Sequence, residues 1–272
     1  MRKISREHDV ISLNKFKLTM CQFALPAGNR KLMHEMTIPL FMVVLWLGIA
    51  KGMVINMNTK NRCYIVGAGE FHENELPQQS DYVIAADGGY SVLAKLNIVP
   101  DMLIGDFDSL KKVPNHPNII TCPVEKDDTD MMLAVRQGLD LGYKTFIING
   151  GLGGRLDHTL ANIQILKYLA EKTARGTLIG NNERITVINN DEITIDSNIA
   201  KGHTLSIFSM GDTAEGVTLK GLKYSLENKT LTNDYPIGCS NEFIGQPATI
   251  SVRNGTLIII TQQKGSKAYA RN

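Results

Sequence analysis

The sequence predicts an α/β fold with a mostly parallel sheet in its N-terminal domain, followed by an all-β sandwich domain. Three observations lead there. Short apolar runs alternate with helical periodicity from Cys63 to about Ala174, the pattern of a parallel sheet covered on both faces. The helical signal then stops after about Thr177. Beyond it, strand-like runs are separated by glycine-bearing turns such as Asn254-Gly255, as in sandwiches and barrels.

The elements follow in order. Cys63–Val66 is a short buried strand ending at Gly67, and Tyr82–Ala86 is a second, closed by Asp87-Gly88-Gly89. Ser91–Leu96 reads as helix, Met102–Ile104 as a third strand and Ile119–Thr121 as a weak fourth. Thr129–Leu141 has apolar residues at Met132, Val135 and Leu139, a helical spacing stopped by Gly142. Thr145–Ile148 is the next strand. Leu156–Ala174 is the longest helix, with Leu156, Leu160, Ile163 and Leu166 expected along its buried stripe. In the second half His203–Phe208, Ala248–Val252 and Thr256–Ile260 read as strands. The division is expected within residues 180–192, giving domains 57–185 and 186–272.

Residues 1–56 read differently. Pro39–Ala50 is apolar but shorter than the ~20 residues of a membrane span. A signal peptide competes with a translated leader ahead of a true start at Met53 or Met57. The second reading is preferred, because Met57–Arg62 leads directly into the first strand. Residues 1–56 are then no part of the fold, and no membrane partner is expected.

Composition narrows the classes. The 272 residues carry 43% hydrophobic and 21% charged side chains, a globular balance. A formal net charge of +2 without a long basic block gives no reason to expect a nucleic-acid partner. Cys21, Cys63, Cys122 and Cys239 form no CxxC pair, so thiols in a reducing compartment are expected rather than a disulfide framework or a zinc site.

Ligands of open α/β sheets sit beyond the carboxyl ends of the strands, and four polar loops fall there. Gly105-Asp106-Phe107-Asp108-Ser109 places two carboxylates two residues apart, on one side of an extended segment. They fit either a shared Mg²⁺ or a turn cap beside a solvated acid. Lys126-Asp127-Asp128-Thr129-Asp130 opens a helix. There Asp127 or Asp128 is expected to cap, leaving the remaining acids and Lys126 for a ligand. Four glycines within Gly150–Gly154 let a backbone approach a ligand at a helix N-terminus, and Arg155 can grip phosphate. Five or more carboxylates, a glycine cradle and an arginine on one rim describe Mg²⁺ with a polyphosphate.

The ordered series Asp87-Gly88-Gly89, Gly105–Ser109, Lys126–Asp130 and Gly153-Gly154-Arg155-Leu156-Asp157-His158 resembles the thiamin pyrophosphokinase family. Gly221-Leu222-Lys223-Tyr224-Ser225-Leu226 and Gly238-Cys239-Ser240-Asn241-Glu242-Phe243 extend the likeness to about Ile260. The resemblance implies a cytoplasmic homodimer with active sites at the subunit interface. It would move the pyrophosphoryl group of ATP to the hydroxyethyl oxygen of thiamin, giving thiamin diphosphate and AMP. By motif position it implies Asp106, Asp108 and Asp130 as Mg²⁺ ligands, with Asp127 a further candidate, and Arg155 beside them as a catalytic group. Asp87, Gly88, Gly89, Ser109, Lys126, Asp127, Thr129, Gly153, Gly154, Arg155, Asp157 and His158 would form the nucleotide site, and Ser240 and Asn241 would contact thiamin. Some members stack thiamin on tryptophan, but Trp46 lies outside the matched region, so if an aromatic stacks on the substrate here it must be a Tyr or Phe. Three other readings compete: a pyrophosphokinase for another heterocyclic alcohol, a non-catalytic binder, and a metal-dependent glycosyltransferase.

Overall fold

The computed structural model describes residues 61–107, 115–121, 127–196 and 202–263. Asp108, Ser109 and Lys126, and all of residues 1–56, lie outside them. The order is β1 (Arg62–Val66), β2 (Asp81–Ala86), α1 (Gly89–Lys95), β3 (Met102–Gly105), β4 (Ile119–Thr121), α2 (Asp130–Asp140), β5 (Thr145–Asn149), α3 (Leu156–Glu171) and β6 (Arg175–Ile179). It continues through β7 (Glu183–Asn189), β8 (Glu192–Ile195), β9 (His203–Ser209), β10 (Thr213–Lys220), β11 (Leu226–Thr232), β12 (Asn241–Glu242), β13 (Ala248–Ser251) and β14 (Thr256–Gln263).

Ten strands form one sheet, in the order β12-β9-β14-β7-β6-β5-β1-β2-β3-β4. From β4 to β6 neighbours are parallel. From β6 to β12 they are antiparallel. The sheet is therefore mixed, which corrects the expectation of a mostly parallel one. The reason is local. After β6 no helix intervenes, and Gly180 N–H donates to the Glu183 carbonyl at 2.8 Å. So tight a turn returns the chain antiparallel to itself, whereas a parallel partner needs a crossover of a dozen residues or more. The segment expected to join the halves is thus a hairpin that keeps the chain within the same sheet.

Alternation along β1 assigns its two faces. Cys63 and Ile65 pack in the cluster with Val135 of α2 and Leu166 of α3. Tyr64 and Val66 pack in the cluster with Leu93 of α1 and with Phe107. α1 and α2 therefore rest on the parallel half, while α3 lies over β6 and the first antiparallel strand, β7, whose Ile185 and Val187 share its cluster. The antiparallel half faces a second sheet, ordered β11-β10-β13-β8. Leu205, Ile207, Leu257 and Ile259 of the large sheet meet Val217, Leu219, Leu231 and Ile250 of the small one in a single apolar cluster.

The stripe expected on α3 needs correcting. Its buried positions are Asn162, Ile165, Leu166 and Leu169. Leu156 and Leu160 are 72% and 55% exposed. At 3.6 residues per turn, Leu156 and Leu160 lie well around the helix from the stripe centred on Asn162, Ile165 and Leu169 that meets the sheet.

Candidate active site

Two glycine loops meet at the centre of the parallel strands. β1 ends in Gly67-Ala68-Gly69 and β5 continues into Gly150-Gly151. Gly67 N–H donates to the Asn149 carbonyl at 2.8 Å and Gly69 N–H to the Gly150 carbonyl at 2.9 Å. A Cβ on Gly67 or Gly69 would stand 2.7 or 2.6 Å from the Gly150 oxygen. Backbone thus packs on backbone, and only glycine fits. The strand ends, α2 and α3 enclose a cavity of about 400 Å³.

Of the residues expected at a nucleotide site, Asp87, Thr129, Gly153, Gly154, Arg155 and His158 line this cavity, together with Asp130, an expected Mg²⁺ ligand. Asp87 sits at φ 47°, a left-handed backbone uncommon outside glycine, and its N–H donates to the Ile104 carbonyl at 2.8 Å. Gly153 and Gly154 also have left-handed φ, 78° and 65°. At the start of α2 the cap is Thr129, whose hydroxyl accepts from Met132 N–H at 3.2 Å. That corrects the expectation of an Asp127 or Asp128 cap. Asp128 instead pairs with Arg136, and Asp130 opens the helix, where its charge opposes the dipole.

Arg155 precedes α3 and is held in a fork. Its Nε and Nη2 donate to Asp157 Oδ1 and Oδ2 at 3.1 and 2.6 Å. The Arg155 guanidinium, helped by His158 N–H, pushes the Asp157 carboxyl down to about 2. Both side chains are exposed, so the pair is screened and exchangeable. Asp157 itself is not part of the cavity wall.

The remaining expected residues lie elsewhere. Gly88 and Gly89 do not line the cavity; a Cβ on buried Gly89 would come within 2.0 Å of the Val66 carbonyl, against which α1 packs. Asp106 follows β3, half-buried, while Phe107 beside it is 2% exposed. Phe107 is therefore the anchor of that loop, and its φ of 57° turns the chain after Asp106. Asp106 and Asp127 do not line the cavity. Among the described residues no three His, Cys, Asp or Glu side chains group closely enough to hold a metal ion; Asp108 is not among those residues.

Ser240 and Asn241 stand at β12, the opposite edge of the sheet from β4. Asn241 is buried and its amide is used on Tyr224, accepting from N–H at 3.0 Å and donating to the carbonyl at 2.7 Å. Tyr224, whose backbone is held in this way, is 61% exposed. Ser240 is exposed, with φ 57° and its N–H on the Ser206 hydroxyl at 3.0 Å. From β5 to β12 the sheet steps across five strand spacings, a separation of about 24 Å at ~4.8 Å each.

Two family models match the chain. The thiamin pyrophosphokinase catalytic domain covers residues 74–178, and the vitamin B1 binding domain of the same enzyme covers residues 190–257. Thiamine pyrophosphokinase of Bacillus subtilis (strain 168) is 30% identical over 69% of the chain and 93% of the relative. The chain belongs to the thiamin pyrophosphokinase family. Thiamin pyrophosphokinase 1 of Caenorhabditis elegans is 25% identical, over 60% of the chain and 72% of the relative. The crystal structure of the Bacillus subtilis enzyme superposes with a TM-score of 0.67 and 28% identity, covering 74% of this chain and 99% of that one. The thiamin pyrophosphokinase of Candida albicans has a TM-score of 0.59 at 15% identity and shares the fold, covering 76% of this chain and 91% of that one.

In this thiamin pyrophosphokinase family enzyme the cavity is also lined by residues that sequence reasoning passed over. Gly67, Ala68 and Gly69 form one wall, and buried Asn162 donates to the Gly151 carbonyl at 2.7 Å. The Gly67-Ala68-Gly69 triplet directly after a buried strand was the available signal. Asn162 gave none, since an asparagine within a helix reads as surface.

Proposed function

We propose that the chain transfers the pyrophosphoryl group of ATP to the hydroxyethyl oxygen of thiamin, yielding thiamin diphosphate and AMP. The observation that carries this reading is the glycine-walled cavity at the N-terminus of α3, with Arg155 at its margin. Backbone N–H groups and a guanidinium suit a polyphosphate. The thiamin oxygen attacks the β-phosphorus, the bond from that phosphorus to the α-phosphate bridging oxygen breaks, and AMP departs. The proton of the hydroxyl passes to a nearby carboxylate late in the transfer.

Asp106, Asp108 and Asp130 would hold Mg²⁺. The donor set fits: all three are carboxylates, and oxygen-only ligation suits this ion. When bound, it neutralises charge on the phosphates. Arg155 leaves Asp157 for a phosphate oxygen, an exchange favoured by the exposure of the pair.

Thiamin binds beside Ser240, with Tyr224 offering the aromatic face that no tryptophan of the matched region supplies. A separation of about 24 Å across the sheet keeps Ser240 of one chain from the cavity of the same chain. That separation supports a site completed by a second copy, in a homodimer. The exposed Leu156 and Leu160 on the helix that borders the cavity support a contact there. The chain works as a catalytic part, 57–185, and a thiamin-binding part, 186–272, consistent with the separate spans of the two family models. Residues 1–56 are dispensable, and the enzyme acts in the cytoplasm. Among the described residues no helix is long and apolar enough to cross a membrane.

The test is incubation with ATP, Mg²⁺ and thiamin, following AMP and thiamin diphosphate. Equal formation of both supports the reading. AMP released only with a different heterocyclic alcohol, or not at all, overturns it.

A further inference from the structure

β5 reads Thr-Phe-Ile-Ile-Asn, and its last four residues are buried. An apolar residue is the ordinary choice at such a position, because a buried amide must find partners for every polar atom. Asn149 is 0% exposed and finds them all outside its own strand. Its Oδ1 accepts from His72 N–H at 3.0 Å. Its Nδ2 donates to the His72 carbonyl at 2.7 Å and to the Tyr64 hydroxyl at 3.0 Å. The Tyr64 hydroxyl in turn donates to the Glu75 carbonyl at 2.6 Å. Two buried side chains from adjacent strands thus grip the connection between β1 and β2 at two points.

That connection starts as the Gly67-Ala68-Gly69 wall of the cavity. Glycines give the wall no side chains with which to fix itself. It is held by backbone bonds to Asn149 and Gly150, a bond from Glu70 N–H to the Leu152 carbonyl at 3.2 Å, and the grip downstream. Glu70 reaches over the glycine loop: a Cβ on Gly153 would stand 2.6 Å from its carboxyl carbon. Farther along, Glu75 pairs with Arg62 and Arg184.

We propose that Asn149 is a positioning residue for nucleotide binding, clamping the β1–β2 connection through His72 so that the Gly67–Gly69 wall keeps its spacing from the Gly150 loop. This rests on the reading that the cavity takes ATP. Asn149 is walled off from the cavity by glycine backbone and acts only through the wall. Loss of the clamp lets the wall move, which weakens the nucleotide and leaves the thiamin surface at β12 untouched.

The test measures the affinity of the whole chain for α,β-methylene ATP, whose scissile position cannot be cleaved, and for thiamin. The proteins are wild type, Asn149→Ala and Tyr64→Phe. Tyr64→Phe keeps the ring and removes only the hydroxyl, so it reads the clamp even if Asn149→Ala folds poorly. The expected result is roughly tenfold weaker nucleotide binding for Asn149→Ala, the scale of one to two hydrogen bonds. A smaller loss is expected for Tyr64→Phe, with thiamin affinity unchanged in both and faster amide exchange at His72. In turnover, KM for ATP should rise more than kcat falls. Unchanged nucleotide affinity with only a lower melting temperature makes Asn149 merely structural and overturns the proposal, as does equal weakening of both ligands. A wild type that binds no nucleotide also overturns it. The expected losses in the two variants, beside a wild type that binds the nucleotide but makes no AMP from thiamin, leave the clamp standing and overturn the proposed activity instead.

Discussion

Replacing Gly150 by alanine tests the claim that the cavity is built by backbone lying on backbone, and Gly154 supplies the control. Both glycines have left-handed φ, 72° and 65°. A Cβ in that region costs about 1–2 kcal/mol, partly offset by the roughly 0.4–1 kcal/mol gained when alanine restricts the unfolded chain. For Gly154→Ala nothing further follows, since no atom lies within 4 Å of the new methyl. For Gly150→Ala the methyl meets the Gly67 carbonyl oxygen at 2.6 Å, whereas ordinary contact begins at 3.4 Å. The two loops must part by roughly 0.8 Å, the difference of those distances. The 2.9 Å bond between Gly69 and Gly150 cannot survive that opening intact. Overpacking of this kind adds about 1–3 kcal/mol. Gly150→Ala is therefore expected to be less stable than Gly154→Ala by that amount. Denaturant unfolding of both variants measures the difference, and KM for ATP should rise for Gly150→Ala in parallel. Equal stability of the two, within about 0.5 kcal/mol, would refute the close approach as the reason for glycine at 150.

Asp106→Asn should lower kcat by roughly a hundredfold or more with the fold intact, the scale for losing a principal electrostatic group; near-normal turnover with a lower melting temperature would make Asp106 a turn cap instead. Mixing Asp106→Ala with Ser240→Ala protomers should restore part of the activity, because one hybrid site is intact. No recovery would mean that each site is built within one chain. The Asp157 carboxyl lies depressed at about 2, so the Arg155 pairing contributes above the ordinary carboxylate range and is lost as pH falls from about 4 toward 2. The difference in melting temperature between wild type and Asp157→Asn should accordingly close over that window, and also at high salt. Thr129→Ala should cost about 1 kcal/mol through the lost cap of α2, read by thermal unfolding, while Asp127→Ala and Asp128→Ala should not remove a cap.

Buried strands and their helices were legible in the sequence because alternation and helical spacing are properties of neighbouring residues. β1 to β5 and the sandwich strands β9, β13 and β14 fall where those patterns put them. The motifs at the strand ends were legible for a related reason, since strand-end chemistry follows from where each apolar run stops. Tertiary structure alone decided the rest. The turn at Gly180 made the sheet mixed, because direction depends on the length of a connection rather than on the strands it joins. Leu156 and Leu160 looked like core and are exposed, because helical periodicity names a face but not whether anything lies beneath it. Gly89 and Gly150 share one residue type, yet one seats a helix on β1 while the other lets two loops touch. Asn149 could not be read at all, and Asn241 was read only as a thiamin contact: both are buried amides whose partners, His72 and Tyr224, are fixed only when strands distant in sequence close the sheet.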